Sequence, residues 1–448
     1  MSLTSRHAFP VVLLLSAVAF GQNQPGNQGQ NQFPGGITIS PDGVIGARQA
    51  QRINPALQQR RMRELAAARL SSDLATVSPL RKISLVRLEA ACRTALDAGQ
   101  EIPIECRCLA GVTQLQYLFA SPESGDVVLA GPAEPFAPLP DGRVVGVETG
   151  RPVLTLDDLL VMLRLRTYRQ QLGCSFDPDP TRLANAQAWN RANSSPATIN
   201  VAQQRFFQTA KILGAWNVTV FRLPADSHAA ITAVEADYQL KRLALGLEHP
   251  GIRGFRSYLD LAGRNENTMR RWWFAPRYEV IERSEDGNAF HLQGPRLQLL
   301  SQEELVDIQG NRSDAAFTEI SAERYTKQFN RHLDALCQRV PSFAAVQNLF
   351  DLAVTAALLQ AEQLPQRVGW MPDLFYDDQQ LPLKEFQVPA EVPSLVNVKQ
   401  LNRSLLIGLV GGGVTIVPEQ VISRTNRLSP ESTPPVTPPA DAAAWWWD

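Results

Sequence analysis

A dominant charge is the first thing this 448-residue chain lacks: 43 Lys and Arg stand against 44 Asp and Glu, for a formal net charge of -1. With no overall field, neither nucleic acid nor an anionic membrane surface is favoured as a partner, and partners must be argued from local clusters. Cysteine is scarce too. Five residues, Cys92, Cys106, Cys108, Cys174 and Cys337, are too few for a disulfide scaffold, and their odd number cannot pair completely within one chain. Cys92 and Cys337 sit in helical apolar stripes and read as buried thiols. Cys106 and Cys108 stand two apart with no second pair at ligand spacing, so they read as strand positions and no metal site is predicted. The common catalytic signatures are missing as well: no Gly-x-Ser-x-Gly elbow, no His-Glu-x-x-His helix, no Gly-Lys-Ser/Thr phosphate loop and no Gly-x-Gly-x-x-Gly turn. That counts against the common enzyme classes, and no cofactor is predicted.

What is present begins with an address. Arg6 and His7, an apolar run from Val11 to Phe20, and small residues at Ala17, Ala19 and Gly21 make a secretion signal, with cleavage expected after Ala19 or Gly21. The run is shorter than the ~20 residues a bilayer span needs, so no transmembrane segment is expected once it is removed. The mature chain is therefore expected to be exported, periplasmic or secreted. The organisation that follows reads as a signal peptide (1–21), a low-complexity linker (22–45), a helical segment (46–110), an α/β core with a β-meander (111–310), a helical hairpin (311–365), a β-rich extension (366–427) and a disordered Pro-rich tail (428–448).

Caps and breakers place the elements. Asn54-Pro55 opens an Arg-rich helix, Ser84 and Gly99 bracket a second, and Thr155 and Ser227 start two more. Pro122 to Asp126 separates two apolar runs as a hairpin turn. Residues 272–300, punctuated by Pro276, Asp286-Gly287 and Gly294-Pro295, read as an antiparallel meander. Pro341 separates two apolar helical stripes, and Gly411-Gly412-Gly413 reads as the turn of a strand, turn, strand unit. Together these predict an α+β (or α/β) fold: a mixed sheet with packing helices, the meander, a C-terminal helical hairpin and disordered ends.

Three clusters carry chemistry. Asp226, Ser227 and His228 lie at a strand-to-helix junction and are followed by Glu235 and Asp237, so a carboxylate is placed to orient His228 as a base or to join it on a cation. Ordinary helix physics explains the same residues: Asp226 or Ser227 caps the helix and Asp237 pairs with Lys241 one turn on. Arg270, Arg271, Trp272 and Trp273 mix cations with rings as a stacking platform does, or form a strand with buried tryptophans. Trp445, Trp446 and Trp447 on a flexible arm read as a docking tail for an envelope protein or polymer, because exposed indoles seek burial.

Six segments taken together resemble a bacterial family, found chiefly in planctomycetes, known as domain of unknown function 1598. They are Ser121–Ala133, Gly150–Leu159, Cys174–Pro178, Pro224–His228, Glu235–Tyr238 and Trp273–Pro276, and the resemblance spans roughly residues 80 to 370. It implies no reaction, cofactor or catalytic residue. The expectation is a non-catalytic envelope protein that binds or scaffolds, and the alternative is a periplasmic hydrolase or metal-dependent enzyme using the Asp226, His228 and Glu235 region.

Overall fold

Two seven-stranded sheets share one hydrophobic core in the computed structural model, which describes residues 36–39, 45–48, 55–139, 142–165, 168–195, 198–263, 269–302, 304–306, 312–314, 319–401, 404–430, 433–436 and 444–448. The signal sequence and most of the low-complexity linker lie outside these residues. The fold is α+β.

The strands of the two sheets, in chain order, are β1 (Ser78–Ser84), β2 (Tyr117–Ser121), β3 (Asp126–Ala133), β4 (Leu172–Pro178), β5 (Ala215–Phe221), β6 (Met269–Arg277), β7 (Ile281–Arg283), β8 (Ala289–Leu292), β9 (Arg296–Gln302), β10 (Glu391–Pro393), β11 (Val396–Leu401), β12 (Ser404–Ile416), β13 (Thr425–Arg427) and β14 (Trp446–Trp447). One sheet runs β9-β6-β12-β4-β5-β10, with β11 also pairing β12. The other runs β13-β7-β8-β2-β3-β1-β14. The helices that matter here are α1 (Leu85–Asp97), α2 (Ile104–Arg107), α3 (Leu156–Arg164), α4 (His228–Ala244), α5 (Ile320–Arg331), α6 (Leu333–Arg339) and α7 (Pro341–Ala361).

Two sequence expectations change. The 272–300 stretch is not one continuous meander: β6 pairs directly with β9, and the β7–β8 hairpin between them joins the other sheet. The alternating runs specify strands, but the sheet each strand joins depends on partners far away in the chain. Gly411-Gly412-Gly413 is not a turn either. It lies within the single strand β12, which pairs parallel with β6 on one side and antiparallel with β4 on the other. Gly412 has φ +112°, and a Cβ there would stand 1.9 Å from the Trp272 carbonyl oxygen. Only glycine lets the backbones approach so closely.

Helix α7 is long and apolar enough to cross a bilayer, yet 94% of its apolar window is buried inside the protein, where it serves as a core helix. Its fully buried Asp351 accepts hydrogen bonds from Leu115 N (3.2 Å), Tyr278 Oη (2.8 Å) and Arg296 Nε (3.1 Å). Burial pushes the Asp351 carboxyl up, against the pull of Arg296. Arg296 lies in β9 and Leu115 adjoins β2, so this one carboxylate ties the two sheets together.

Candidate functional site

The N-termini of α3 and α4 converge, and that convergence creates the most reactive arrangement in the fold. Thr155 caps α3 by accepting the Asp158 N–H at 3.1 Å, and its hydroxyl donates back to Asp158 Oδ2 at 2.8 Å. Ser227 caps α4 by accepting the Ala230 N–H at 3.1 Å. His228, the first residue of α4, then places Nδ1 2.9 Å from Asp158 Oδ2 and 3.1 Å from Oδ1. The Phe386 ring stands 5.3 Å from the imidazole, and the Phe386 N–H donates to the Asp226 carbonyl at 2.8 Å.

Burial opposes protonation of His228. The charge and hydrogen bond of Asp158, helped by Asp157 and Glu235, outweigh it and hold the imidazole above its ordinary pKa. Burial raises Asp157, as does its neighbour Asp158. Glu235 lies two turns along α4 and pairs with Arg143 at 3.0 Å.

The four candidates thus have different fates. His228 and Glu235 share one electrostatic neighbourhood. Asp226 is exposed and takes part through its backbone carbonyl. Asp237 belongs elsewhere: it is fully buried against Lys241, four residues on, and the lysine Nζ lies 4.0 Å from the centre of the Phe176 ring. Burial pushes the Asp237 carboxyl up to about 6 despite Lys241, and burial lowers Lys241 in turn. The partner missed from sequence is Asp158. It stands 70 positions before His228, and its only local signal is the Thr155 cap, which fully explains an acidic residue there.

The arginine and tryptophan cluster on β6 does not form an open platform. Arg270 and Trp272 are buried on one face, Arg270 paired with Glu319 at 3.0 Å and Trp272 edge-on to Tyr258 and Tyr325. On the other face Arg271 pairs with Asp177 at 3.2 Å and lies over the Trp273 ring, whose Nε1 donates to Gln302 at 2.8 Å. Strand alternation distributes the four side chains to internal partners.

The tryptophan tail is corrected as well. Residues 444–448 are not a loose end: Trp446 and Trp447 form β14, an antiparallel edge strand opposite Ile83 and Lys82 of β1. The Ser84 N–H donates to the Trp445 carbonyl at 2.9 Å. Arg81, whose side chain is completely buried, gives Nε and Nη2 to the two carboxylate oxygens of Asp448 at 2.8 and 3.1 Å. Its guanidinium also lies 5.0 Å from the centre of the Trp446 ring. Trp445 and Trp447 are buried in separate apolar clusters. Composition marks 428–448 as unable to fold by itself, and a β-edge more than 350 positions away in sequence supplies what it lacks.

Three clefts lined by described residues lie apart from His228. One of about 490 Å³ is bordered by Gln116, Arg151, His291, Gln293 and Gln347. Another, about 760 Å³, lies between Ser121–Glu123, Ser284–Asp286 and Pro430–Val436. The third, about 730 Å³, is bordered by Arg277, Leu300, Lys327 and Asn330.

The class these features define is an α+β protein with an internally docked edge strand and an Asp–His pair of unassigned chemistry. Residues 174–258 match the model of a family described as protein of unknown function, DUF1598. That span runs from β4 through α4 and contains His228, Glu235 and Asp237, but neither Asp158 nor the docked tail. It is narrower than the stretch over which the sequence resembles the family. Among the curated proteins and among the solved structures, nothing matches.

Proposed function

We propose that the chain is an exported, non-catalytic protein of the bacterial cell envelope that works by binding or scaffolding, with the outer edge of β1 as its binding element. The observation that carries this reading is the seat occupied by Trp445–Asp448. Backbone pairing along a sheet edge supplies affinity, and the buried Arg81 adds a two-pronged fit to a single carboxylate. The occupant is an extended peptide with tryptophans beside an aspartate, of which residues 445–448 are the resident example. A tethered resident acts at an effective concentration on the order of millimolar, so a competing partner must bind well or arrive in high local density.

Two measurements test the two halves of the proposal. In a variant ending at Ala443, a fluorescent acetyl-Trp-Trp-Trp-Asp peptide should bind saturably, and Arg81→Ala should weaken binding about tenfold or more. A flat anisotropy titration of the truncated chain would remove the groove. For export, supported by the leader at residues 1–21, N-terminal sequencing of the fractionated protein should begin at Phe20 or Gln22 outside the cytoplasm. An intact Met1 in the cytosolic fraction would overturn it.

A second reading, a hydrolase, is favoured by one observation. With Asp158 on Nδ1, the other ring nitrogen of His228 has no hydrogen-bond partner among the described residues, and the side chain is 28% exposed. That is the geometry of an oriented base. The binding reading is preferred because the carboxylates around His228 raise its pKa and favour imidazolium, the form that cannot accept a proton.

A further inference from the structure

Cys92 and Cys106 meet in the core. Cys92 faces inward from α1 and Cys106 from the single turn α2, and both are essentially inaccessible. Gly99, at φ +65°, ends α1 and lets the chain double back through Gln100–Pro103, so residues fourteen positions apart come face to face. The two thiols hydrogen-bond each other, and the Trp445 side chain hydrogen-bonds Cys106. The remaining cysteines are held apart from this pair: Cys108 packs with Phe136 and Val153, Cys174 lies beside Asp237 and Lys241, and Cys337 is in α6. Burial raises the pKa of all three, which keeps them as unreactive thiols.

We propose that Cys92 and Cys106 form a disulfide in the mature protein, leaving Cys108, Cys174 and Cys337 reduced, and that docking of Trp445 over the pair seals it from solvent. This resolves the odd cysteine count as one bridge and three thiols. The oxidant is a disulfide-bearing carrier of the kind found where exported proteins fold. One cysteine thiolate attacks the carrier disulfide to form a mixed disulfide, and the second thiolate then attacks the protein sulfur of that intermediate. The carrier leaves as a dithiol, having taken two electrons, and the two thiol protons end on it. The bridge forms before Trp445 seats, because a seated indole blocks the approach of any carrier. Its effect is to close a short loop and anchor α2 to α1, beneath the edge that holds Trp445–Asp448.

The test uses the full mature chain refolded in a glutathione redox buffer, quenched with acid, then alkylated in denaturant and digested. The expected product is lighter by two hydrogens, carries three alkyl groups, and yields a peptide joining Cys92 to Cys106. Five alkylated cysteines, or a bridge to Cys108, would overturn the proposal. Native protein should resist dithiothreitol, whereas a variant ending at Ala443 should be reduced at least several-fold faster. Equal reduction rates would sink the sealing role of Trp445. Because the mass measurement is made on the unmutated sequence, it does not depend on any variant folding.

Discussion

His228 is a residue whose meaning depends on a neighbour that its own segment does not contain. Read within Pro224–Tyr238, its partners are Asp226 or Glu235, and helix capping explains both without catalysis. In the fold the hydrogen bond goes to Asp158, across the gap between two helix N-termini. Those termini favour a carboxylate and disfavour a cation, so Asp158 is stabilised in the position from which it stabilises His228. The pKa direction gives a stability prediction. A histidine raised in the folded state contributes stability that is fully present below its unfolded pKa of ~6.5 and disappears as pH rises through the higher folded value. Replacing His228→Asn should therefore cost about 1 kcal/mol near pH 6 and progressively less toward pH 8. Thermal unfolding across that range measures the difference, and NMR titration should show the His228 pKa falling in Asp158→Asn. A cost independent of pH, or an unchanged titration, would mean the pair carries no proton linkage.

At the scale of elements, what could be read from the sequence was what is encoded locally. Ser84, Thr155 and Ser227 each cap a helix as expected, because an N-cap is a bond between residues three apart. The hairpin around Pro122–Asp126 forms because its turn and both strands are contiguous. The errors fall where two distant segments decide the outcome. A Gly-Gly-Gly run has the local grammar of a turn, but in β12 it serves the close approach of β4 and β6, which flank it from 240 and 140 positions upstream. Cys106 was read as a strand position and lies in α2, a single turn after Pro103 that lacks the length to show a period. The tail follows the same logic. Its composition forbids autonomous folding, and nothing within it announces that Arg81 awaits its carboxylate.

For the whole molecule, the segment after β12 has a role that neither its residues nor its elements reveal separately. In the sheet ordered β13-β7-β8-β2-β3-β1-β14, residues 425–427 cover one edge and residues 446–447 cover the other. An uncovered edge presents unpaired N–H and C=O groups to any strand that arrives, so capping both edges is how this sheet is kept from pairing with other chains. Arg427 and Arg81 bind carboxylates at the two ends, to Glu285 and Asp448 respectively. If edge protection is the function of this segment, its removal should act in two steps. A variant ending at Ala443 exposes β1 alone, while one ending at Ser423 exposes β7 as well. Light scattering over a concentration series should show association rising from full length to the first truncation and again to the second. Equal apparent mass for all three chains would separate the two roles now assigned to the tail, leaving the docked tryptophans as a ligand mimic and not as a guard.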